Sequence, residues 1–192
     1  MSKVQTDNSY FFDKVMLRFN HLPNKDIIKV LDCYAGNNFL WDRVKSLTKK
    51  NIEYVGIDFR KSKNNLEGNN LKFIKTIDIF KYDIIDLDAY GVPYLLLKII
   101  LDKFQKIDYN KRKNEECVFF ITFIQSLFGS LPFGMLSEIG YPKKMVKKIP
   151  TLFYKNGIEK FKRFLSNYGI KNIFIRSTPD KRKNYISFVL NK

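Results

Sequence analysis

The stretch Tyr82–Pro93, YDIIDLDAYGVP, contains the pattern on which the fold prediction depends. Its first half is apolar apart from its aspartates, which is typical of a strand buried on both faces of a parallel sheet. Asp86 and Asp88 are two residues apart, so strand alternation places them on the same side. Desolvating two carboxylates costs stability unless they bind something. Residues 90–93, YGVP, then supply an aromatic face, a flexible joint and a proline at the first helical position.

Similar apolar runs recur along the chain and are separated by amphipathic stretches. The runs predict strands at Ile27–Tyr34, Ile52–Asp58, Leu71–Lys75, Tyr82–Leu87, Cys117–Ile124, Ile170–Ser177 and Tyr185–Leu190. The amphipathic stretches predict helices at Ser9–Leu22, Asn38–Lys49, Val92–Phe104 and Gly157–Tyr168. Such alternation indicates an α/β fold, with a seven-stranded, mostly parallel sheet and helices on both faces. Because no helix separates the last two strands, we expect them to form an antiparallel hairpin.

The length of 192 residues favours a single domain. Within residues 1–192 we expect an N-terminal helical extension over residues 1–26 and a substrate-side insertion over residues 125–150. The longest apolar stretch, near Tyr94–Leu101, is interrupted by Lys98 and is too short to span a membrane. Residues 1–8 are polar and lack the apolar region of a secretion signal.

The cysteines and the single histidine restrict the compartment and the metal chemistry. Cys33 and Cys117 both lie in apolar runs, so we expect buried thiols in a reducing, cytoplasmic environment. Structural zinc needs about four soft ligands, which two cysteines and His21 do not supply. The sequence therefore predicts a protein that needs no metal ion.

The charge is strongly positive, with 35 Lys and Arg residues against 19 Asp and Glu and a net charge of +16. Such an excess is typical of a protein that binds a polyanion. Compositional drift is the alternative, since Lys far outnumbers Arg and Asn is abundant. The cations form three clusters, which are Lys111-Arg112-Lys113, Lys143-Lys144 with Lys147-Lys148, and Lys181-Arg182-Lys183.

Several carboxylates are predicted to follow strands, where open α/β sheets bind their ligands. Asp32 precedes residues 34–37, YAGN, whose small members let a ligand approach the backbone near a helix N-terminus. The turn lacks G-x-G-x-x-G, which disfavours NAD and FAD. Asp58 could accept hydrogen bonds from ribose hydroxyls, and Asp78 could accept one from an adenine amino group. Helix capping or turn formation is the alternative role for each of these two.

Residues 125–150 combine aromatic side chains with cations, as in surfaces that bind a nucleic-acid backbone and unstacked bases. The nucleic-acid contacts predicted here are Phe128, Lys143, Lys144, Lys147 and Lys148. A helical cover whose aromatic residues belong to the core is the alternative.

These motifs together resemble the class I S-adenosylmethionine-dependent methyltransferases, from about Ile27 to Lys192. DLDAYGVP is similar to the D-x-D-P-[FY]-G-[ST]-P turn of the tRNA guanine-N2 dimethyltransferases. The resemblance implies a Rossmann-like sheet with an antiparallel last strand, and S-adenosylmethionine as cofactor. It implies that Asp88 acts on the target base, with Asp86 and Tyr90 beside it. The cofactor-binding residues it implies are Asp32, Tyr34, Ala35, Gly36, Asn37, Asp58, Phe59, Asp78 and Ile79.

The resemblance predicts an enzyme that methylates an exocyclic amine of a nucleic-acid base, with guanine N2 in RNA favoured over DNA. It places the chain in tRNA processing, with no membrane and with a protein partner or a second copy for substrate recognition. Two alternatives remain open. The substrate could be a small molecule or a protein. The chain could instead be a weakened methyltransferase-like binding module, because Ala89 replaces a proline and Asn38 replaces a glycine of the motifs.

Overall fold

The protein is described by a computed structural model covering residues 10–59, 65–106, 116–124, 131–149 and 156–191. The strands are β1 Ile27–Asp32, β2 Asn51–Asp58, β3 Asn65–Glu67, β4 Ile84–Leu87, β5 Glu116–Ile124, β6 Ile173–Ser177 and β7 Lys183–Asn191. The helices are α1 Phe11–Asn20, α2 Phe39–Leu47, α3 Asn70–Thr76, α4 Tyr94–Gln105, α5 Phe133–Glu138, α6 Lys143–Lys148 and α7 Gly157–Ser166. None of the helices in these ranges is long and apolar enough to cross a membrane.

The strands form one seven-stranded sheet in the order β3-β2-β1-β4-β5-β7-β6. β1 to β5 pair in parallel, and β7 runs antiparallel to both β5 and β6. The predicted mostly parallel sheet with a closing antiparallel hairpin is therefore confirmed. The strand order reverses between β1 and β4, which is where open α/β sheets form a ligand crevice.

Helices cover both faces of the sheet, as the apolar strand pattern predicts. On one face α1 and α2 pack against the sheet through a cluster that includes Val15, Trp41 and Phe120. On the other face α3, α4, α5 and α7 build a larger core that includes Leu97 and Phe164. The central strands β4 and β5 are thus buried from both sides, which leaves the ends of the strands as the place for a ligand crevice.

The strand predicted at Leu71–Lys75 is wrong, because this segment belongs to α3. The Asn69 side chain accepts a hydrogen bond from the backbone N–H of Leu71 (2.8 Å) and caps the helix. Asn70 and Ile74 are buried one helical turn apart while Lys72 between them is exposed, whereas in a strand all three would share one face. β3 is instead the three-residue segment that precedes this helix.

Other predicted elements match the structure to within a few residues. Ser9, the cluster at residues 111–113, Phe128 and the segments 125–130 and 150 lie outside the described residues.

Candidate active site

The carboxyl edge of the sheet, where β1, β2, β4 and β5 end, carries most of the predicted acids. Asp32 and Asp58 are the last residues of β1 and β2. Asp32 lies opposite Asp86 of the neighbouring strand β4, and Asp88 follows that strand. The fold thus brings four carboxylates from three separate segments of the sequence to one edge of the sheet.

Asp78 does not follow a strand, contrary to the prediction. It precedes a 3₁₀ turn at Ile79–Lys81, and its carboxylate accepts a hydrogen bond from the Phe80 N–H (3.1 Å). This is the turn-forming role that the sequence left open. Ile79 is fully buried in the core, so its side chain cannot contact a ligand, and only its backbone could do so.

Asp86 lies inside the protein and is completely enclosed by protein groups. Its carboxylate accepts two hydrogen bonds from Arg18, from Nε at 2.6 Å and Nη2 at 2.7 Å, and one from Trp41 Nε1 at 2.8 Å. Asp86 and Arg18 are 0% and 1% exposed. Burial acts to lower the pKa of Arg18, but Asp86 raises it well above its ordinary value. Asp86 therefore cannot touch a substrate, and its predicted place in the catalytic set is corrected to a structural ion pair.

Asp88 lies on the same side of the sheet, as predicted, but nearer the surface. Lys14 Nζ donates to both carboxylate oxygens, at 2.8 and 2.9 Å, and Thr122 Oγ1 donates at 2.5 Å. Arg18 Nη2 lies 3.9 Å from Asp88 Oδ2, and the Asp88 side chain is 17% exposed. Burial acts to raise the pKa of Asp88, but the charges of Arg18 and Lys14 outweigh it and hold this pKa below its ordinary value.

Sequence reasoning missed Lys14 and Arg18, the two cations that α1 contributes to this site. They are one helical turn apart and therefore lie on the same face of α1. A signal was present in the sequence, since two desolvated carboxylates require nearby cations. The chain nevertheless offers 35 Lys and Arg residues, and nothing in the pattern selects these two.

The turn between β1 and α2 has the left-handed backbone that its small residues permit. Gly36 and Asn38 have positive φ angles of 54° and 65°. The Gly36 N–H donates to Asp58 Oδ2 (2.9 Å), so the turn is tied to the end of β2. Asp32 accepts from the Tyr34 N–H (3.0 Å) and contacts the Tyr54 hydroxyl (3.1 Å). Burial and the nearby Asp86 charge raise the pKa of Asp32 well above its ordinary value.

Two asparagines beside this turn present buried acceptor atoms. The Asn65 amide donates to the Gly36 carbonyl (3.2 Å), and the Asn70 amide donates to the Cys33 carbonyl. The Oδ1 atoms of both are buried and have no hydrogen-bond partner within the described part of the chain. A side chain at Gly56 would come within 2.1 Å of Asn65 Oδ1, so the glycine makes room for this arrangement.

Exposed aromatic rings surround the same edge. Tyr90, in the turn after β4, is 87% exposed. Phe59 directly follows β2, Phe39 is the first residue of α2, and both rings are exposed. Single exposed apolar side chains are ordinary on a protein surface, but at this edge their rings are accessible to a ligand. Tyr90 and Phe59 were predicted site residues, and Asn37 is also exposed here.

α6 carries four cations, Lys143, Lys144, Lys147 and Lys148, and all are exposed. Lys143 Nζ lies 5.8 Å from the ring centroid of Phe133 in α5. Met145 and Val146 pack partly against the main core. The segment is thus both a helical cover and an outward-facing cationic surface, so the two interpretations of residues 131–149 are compatible.

No protein-family model matches the chain, and no curated protein matches it by sequence. Solved structures with low sequence identity do share its fold. A possible exported protein from Bordetella parapertussis has a TM-score of 0.57 and 8% identity over 96% of this chain and 68% of that chain. A putative O-methyltransferase from Nostoc punctiforme has a TM-score of 0.52 and 15% identity over 95% of this chain, which spans 56% of that protein.

A SAM-dependent methyltransferase from Archaeoglobus fulgidus has a TM-score of 0.52 and 14% identity, and 93% of each chain is covered. Together with the strand order and the antiparallel β7, these similarities define the fold. The chain has the Rossmann-like fold of the class I S-adenosylmethionine-dependent methyltransferases.

Proposed function

We propose that the protein is an S-adenosylmethionine-dependent methyltransferase that methylates an exocyclic amine of a nucleic-acid base, guanine N2 in RNA being favoured. The observation that carries the proposal is the position of Asp88. It is a carboxylate at the carboxyl edge of the sheet, immediately followed by an exposed aromatic ring. Such a pair suits a flat ring that bears an amino group.

The residues around the β1–α2 turn fit S-adenosylmethionine, which would supply an activated methyl group on a sulfonium centre. The cofactor carries an ammonium group, two ribose hydroxyls and an adenine amine, all of which are hydrogen-bond donors. The turn offers Asp32 and Asp58 together with the unsatisfied Oδ1 atoms of Asn65 and Asn70. An acceptor-rich site beside an open left-handed turn is what such a donor set requires.

Asp88 retains acceptor capacity despite its three hydrogen bonds. A carboxylate has about four lone-pair sites, of which Lys14 takes two and Thr122 takes one. One site remains for the N–H of a substrate amine. Accepting that hydrogen bond localises the nitrogen lone pair, which is otherwise delocalised into the purine ring. The same oxygen can then take the proton that the nitrogen loses.

The low pKa of Asp88 is compatible with this role. It keeps the carboxylate ionised near neutral pH, so that it accepts rather than donates a hydrogen bond. A weak base is sufficient here, because a methylated and positively charged aryl amine is a much stronger acid than the neutral amine. Trp41 and Arg18 donate hydrogen bonds to the neighbouring Asp86. These bonds fix the end of β4, the strand that Asp88 follows.

The cationic surface of α6 supports nucleic acid as the substrate class. The exposed Tyr90 suits stacking with an unpaired base, since aromatic side chains bind bases of any sequence in this way. A base within a duplex would have to be flipped out at a cost of a few kcal/mol. The buried Cys33 and Cys117 support a cytoplasmic location within a reducing compartment.

Cofactor binding is tested by calorimetry with S-adenosylmethionine. We expect binding by the wild type and at least about tenfold weaker binding by Asp58→Ala, because a charge-assisted hydrogen bond is worth roughly 1.5–3 kcal/mol. Glu53→Ala is the matched control, since Glu53 is an exposed acid on the same strand. Absence of wild-type binding at high micromolar concentration contradicts the proposal.

The substrate is tested by mass spectrometry of nucleosides from host RNA and DNA, with and without the gene. We expect one methylated purine nucleoside to appear only with the gene, and to be lost with Asp88→Asn. Methylation of protein or of small molecules alone contradicts the nucleic-acid assignment.

A weakened binding module is the second candidate, and one observation favours it. Lys14 donates to both oxygens of Asp88, in the region where a substrate amine would bind. In such a module Asp88 only anchors α1. RNA binding without cofactor binding in the calorimetric experiment would select this candidate.

A further inference from the structure

The turn that joins β6 and β7 lies at the same edge of the sheet as the candidate active site. β5 ends at this edge, and β7 runs antiparallel to it, with Lys183 opposite Ile124. β6 therefore ends here too, with Ser177 opposite Asn184. We call residues 178–183 the hairpin tip.

The strands that lead to Asp88 and to the hairpin tip are near neighbours in the sheet. Thr122, which donates to Asp88, lies opposite Tyr185 of β7. The Ile124 N–H donates to the Gly91 carbonyl (2.9 Å), next to Tyr90. β4 and β7 are separated only by β5, which corresponds to roughly 10 Å at the usual strand spacing.

Internal hydrogen bonds make the hairpin tip a fixed turn. The Thr178 N–H donates to the Lys183 carbonyl (2.9 Å), and the Lys181 N–H donates to the Thr178 carbonyl (2.8 Å). The Asp180 carboxylate accepts from Thr178 Oγ1 and from the Arg182 N–H. Binding of a partner to this turn therefore costs little conformational entropy.

Two cations of the hairpin tip, Lys181 and Arg182, are exposed, whereas Lys183 Nζ lies 5.5 Å from the ring centroid of Tyr10 and several other cations in the described ranges hold the fold together. Lys25 pairs with Asp83 (2.7 Å), and Lys103 donates to the Ile74 carbonyl (2.6 Å), so both help to hold the fold together. Lys181 and Arg182 are exposed, and the ion pair of Arg182 is with Asp180 of the same turn at 3.8 Å. Lys181 also occupies a left-handed conformation (φ 56°), where glycine or asparagine would be less strained.

We infer that the hairpin tip is a phosphate-binding surface for the nucleic-acid segment that flanks the target base. This inference rests on the proposed function, since it places the base at Asp88 and Tyr90. The roughly 10 Å between strands β4 and β7 corresponds to about three nucleotide rises of 3.4 Å. Arg182 suits bidentate contact with a phosphate, and Lys181 adds a point charge. The exposed ring of Tyr90 at the same edge of the sheet as these cations favours nucleic acid over an acidic protein.

The test uses the full chain and a fluorescein-labelled, 20-nucleotide single-stranded RNA of mixed sequence, with anisotropy measured from 50 to 300 mM salt. The variant is Lys181→Gly with Arg182→Gln, because glycine is compatible with the left-handed backbone. We expect about tenfold weaker binding at 100 mM salt and a log–log salt slope that is smaller by about 1.4, which corresponds to two lost contacts. Its melting temperature should not fall, which shows that the turn still forms.

The matched control is Lys49→Gln with Lys171→Gln. It removes the same charge from exposed positions that precede β2 and β6, at the opposite edge of the sheet. We expect less than a twofold change in RNA affinity and an unchanged salt slope. Equal losses in the variant and the control overturn the inference, as does binding of an acidic protein but not RNA. If the wild type transfers no methyl group but the variant still loses RNA affinity, only the proposed function is refuted. The inference about the hairpin tip then stands.

Discussion

Asp86 and Asp88 are two residues apart, one inside β4 and the other just after it, and both pair with Arg18, yet their surroundings differ. Asp86 is completely buried, and its hydrogen bonds come from Arg18 and Trp41. Asp88 is partly exposed and is held by the more flexible Lys14 and by Thr122. A displacement of one strand repeat thus separates a carboxylate that stabilises the fold from one that can meet a ligand.

Replacing Arg18, the cation paired with the buried Asp86, tests whether this pair stabilises the fold. Of the variants considered, it should have the largest effect on the free energy of unfolding. Arg18→Ala leaves Asp86 buried without its partner, which costs about 3–5 kcal/mol of the free energy of unfolding. Urea denaturation measures this. Arg43→Ala is the control, an exposed arginine for which a change below about 0.5 kcal/mol is expected. A loss below 1 kcal/mol for Arg18→Ala would mean that the pair does not stabilise the fold.

A double replacement sharpens this result. Arg18→Met with Asp86→Leu removes both charges and keeps apolar volume, and such replacements are often neutral or stabilising. We expect the double variant to be more stable than Arg18→Ala by at least about 2 kcal/mol.

Asp88→Asn tests whether the partly exposed carboxylate takes part in methyl transfer. The amide keeps the shape but lacks the negative charge, so we expect methyl transfer to slow by about 10²–10⁴-fold, the range of general acid–base effects. The loss of stability should be about 2 kcal/mol at most, less than for Arg18→Ala. Single-turnover assays and urea denaturation measure the two effects. Asp42→Asn, an exposed acid of α2, is the control, and undiminished turnover by Asp88→Asn would exclude its proposed role.

Tyr90→Ala should have a smaller effect, on substrate binding alone. Stacking on an aromatic side chain is worth about 1–3 kcal/mol per base. Because the ring is 87% exposed, the free energy of unfolding should change by less than about 0.5 kcal/mol. Tyr90→Phe should retain binding, and a matching loss in both variants would show that stacking is not the cause.

Lys14→Met should have the smallest effect, a change in pH dependence. Asp88 has a lowered pKa in the folded protein, so its charge contributes stability above the unfolded-state pKa and loses it as the pH falls through the folded-state pKa. Without the Lys14 charge, that pKa rises. The acid limb of the pH–rate profile should therefore move to higher pH, while Lys49→Met leaves it unchanged. A shift to lower pH would contradict this electrostatic role.

The fold was largely predictable because β1, β2, β4, β5 and β7 each contain a run of apolar, often β-branched or aromatic residues. The β3–α3 region was not, since a three-residue strand carries too little pattern and residues 71–75, LKFIK, are too few to distinguish a short helix from a strand. The grouping of Asp32, Asp58 and Asp88 followed from strand ends meeting at one edge. The enclosure of Asp86 could not be predicted, because its partner Arg18 is 68 residues away and no local pattern joins them.

The separation of Arg18 and Asp86 in the sequence has a consequence for folding during synthesis on the ribosome. α1 is synthesised before β4, so its guanidinium is present while the carboxylate that compensates it is still untranslated. Docking of α1 onto the nascent sheet before β4 has appeared would bury an uncompensated charge, so its final attachment should be among the late events of folding.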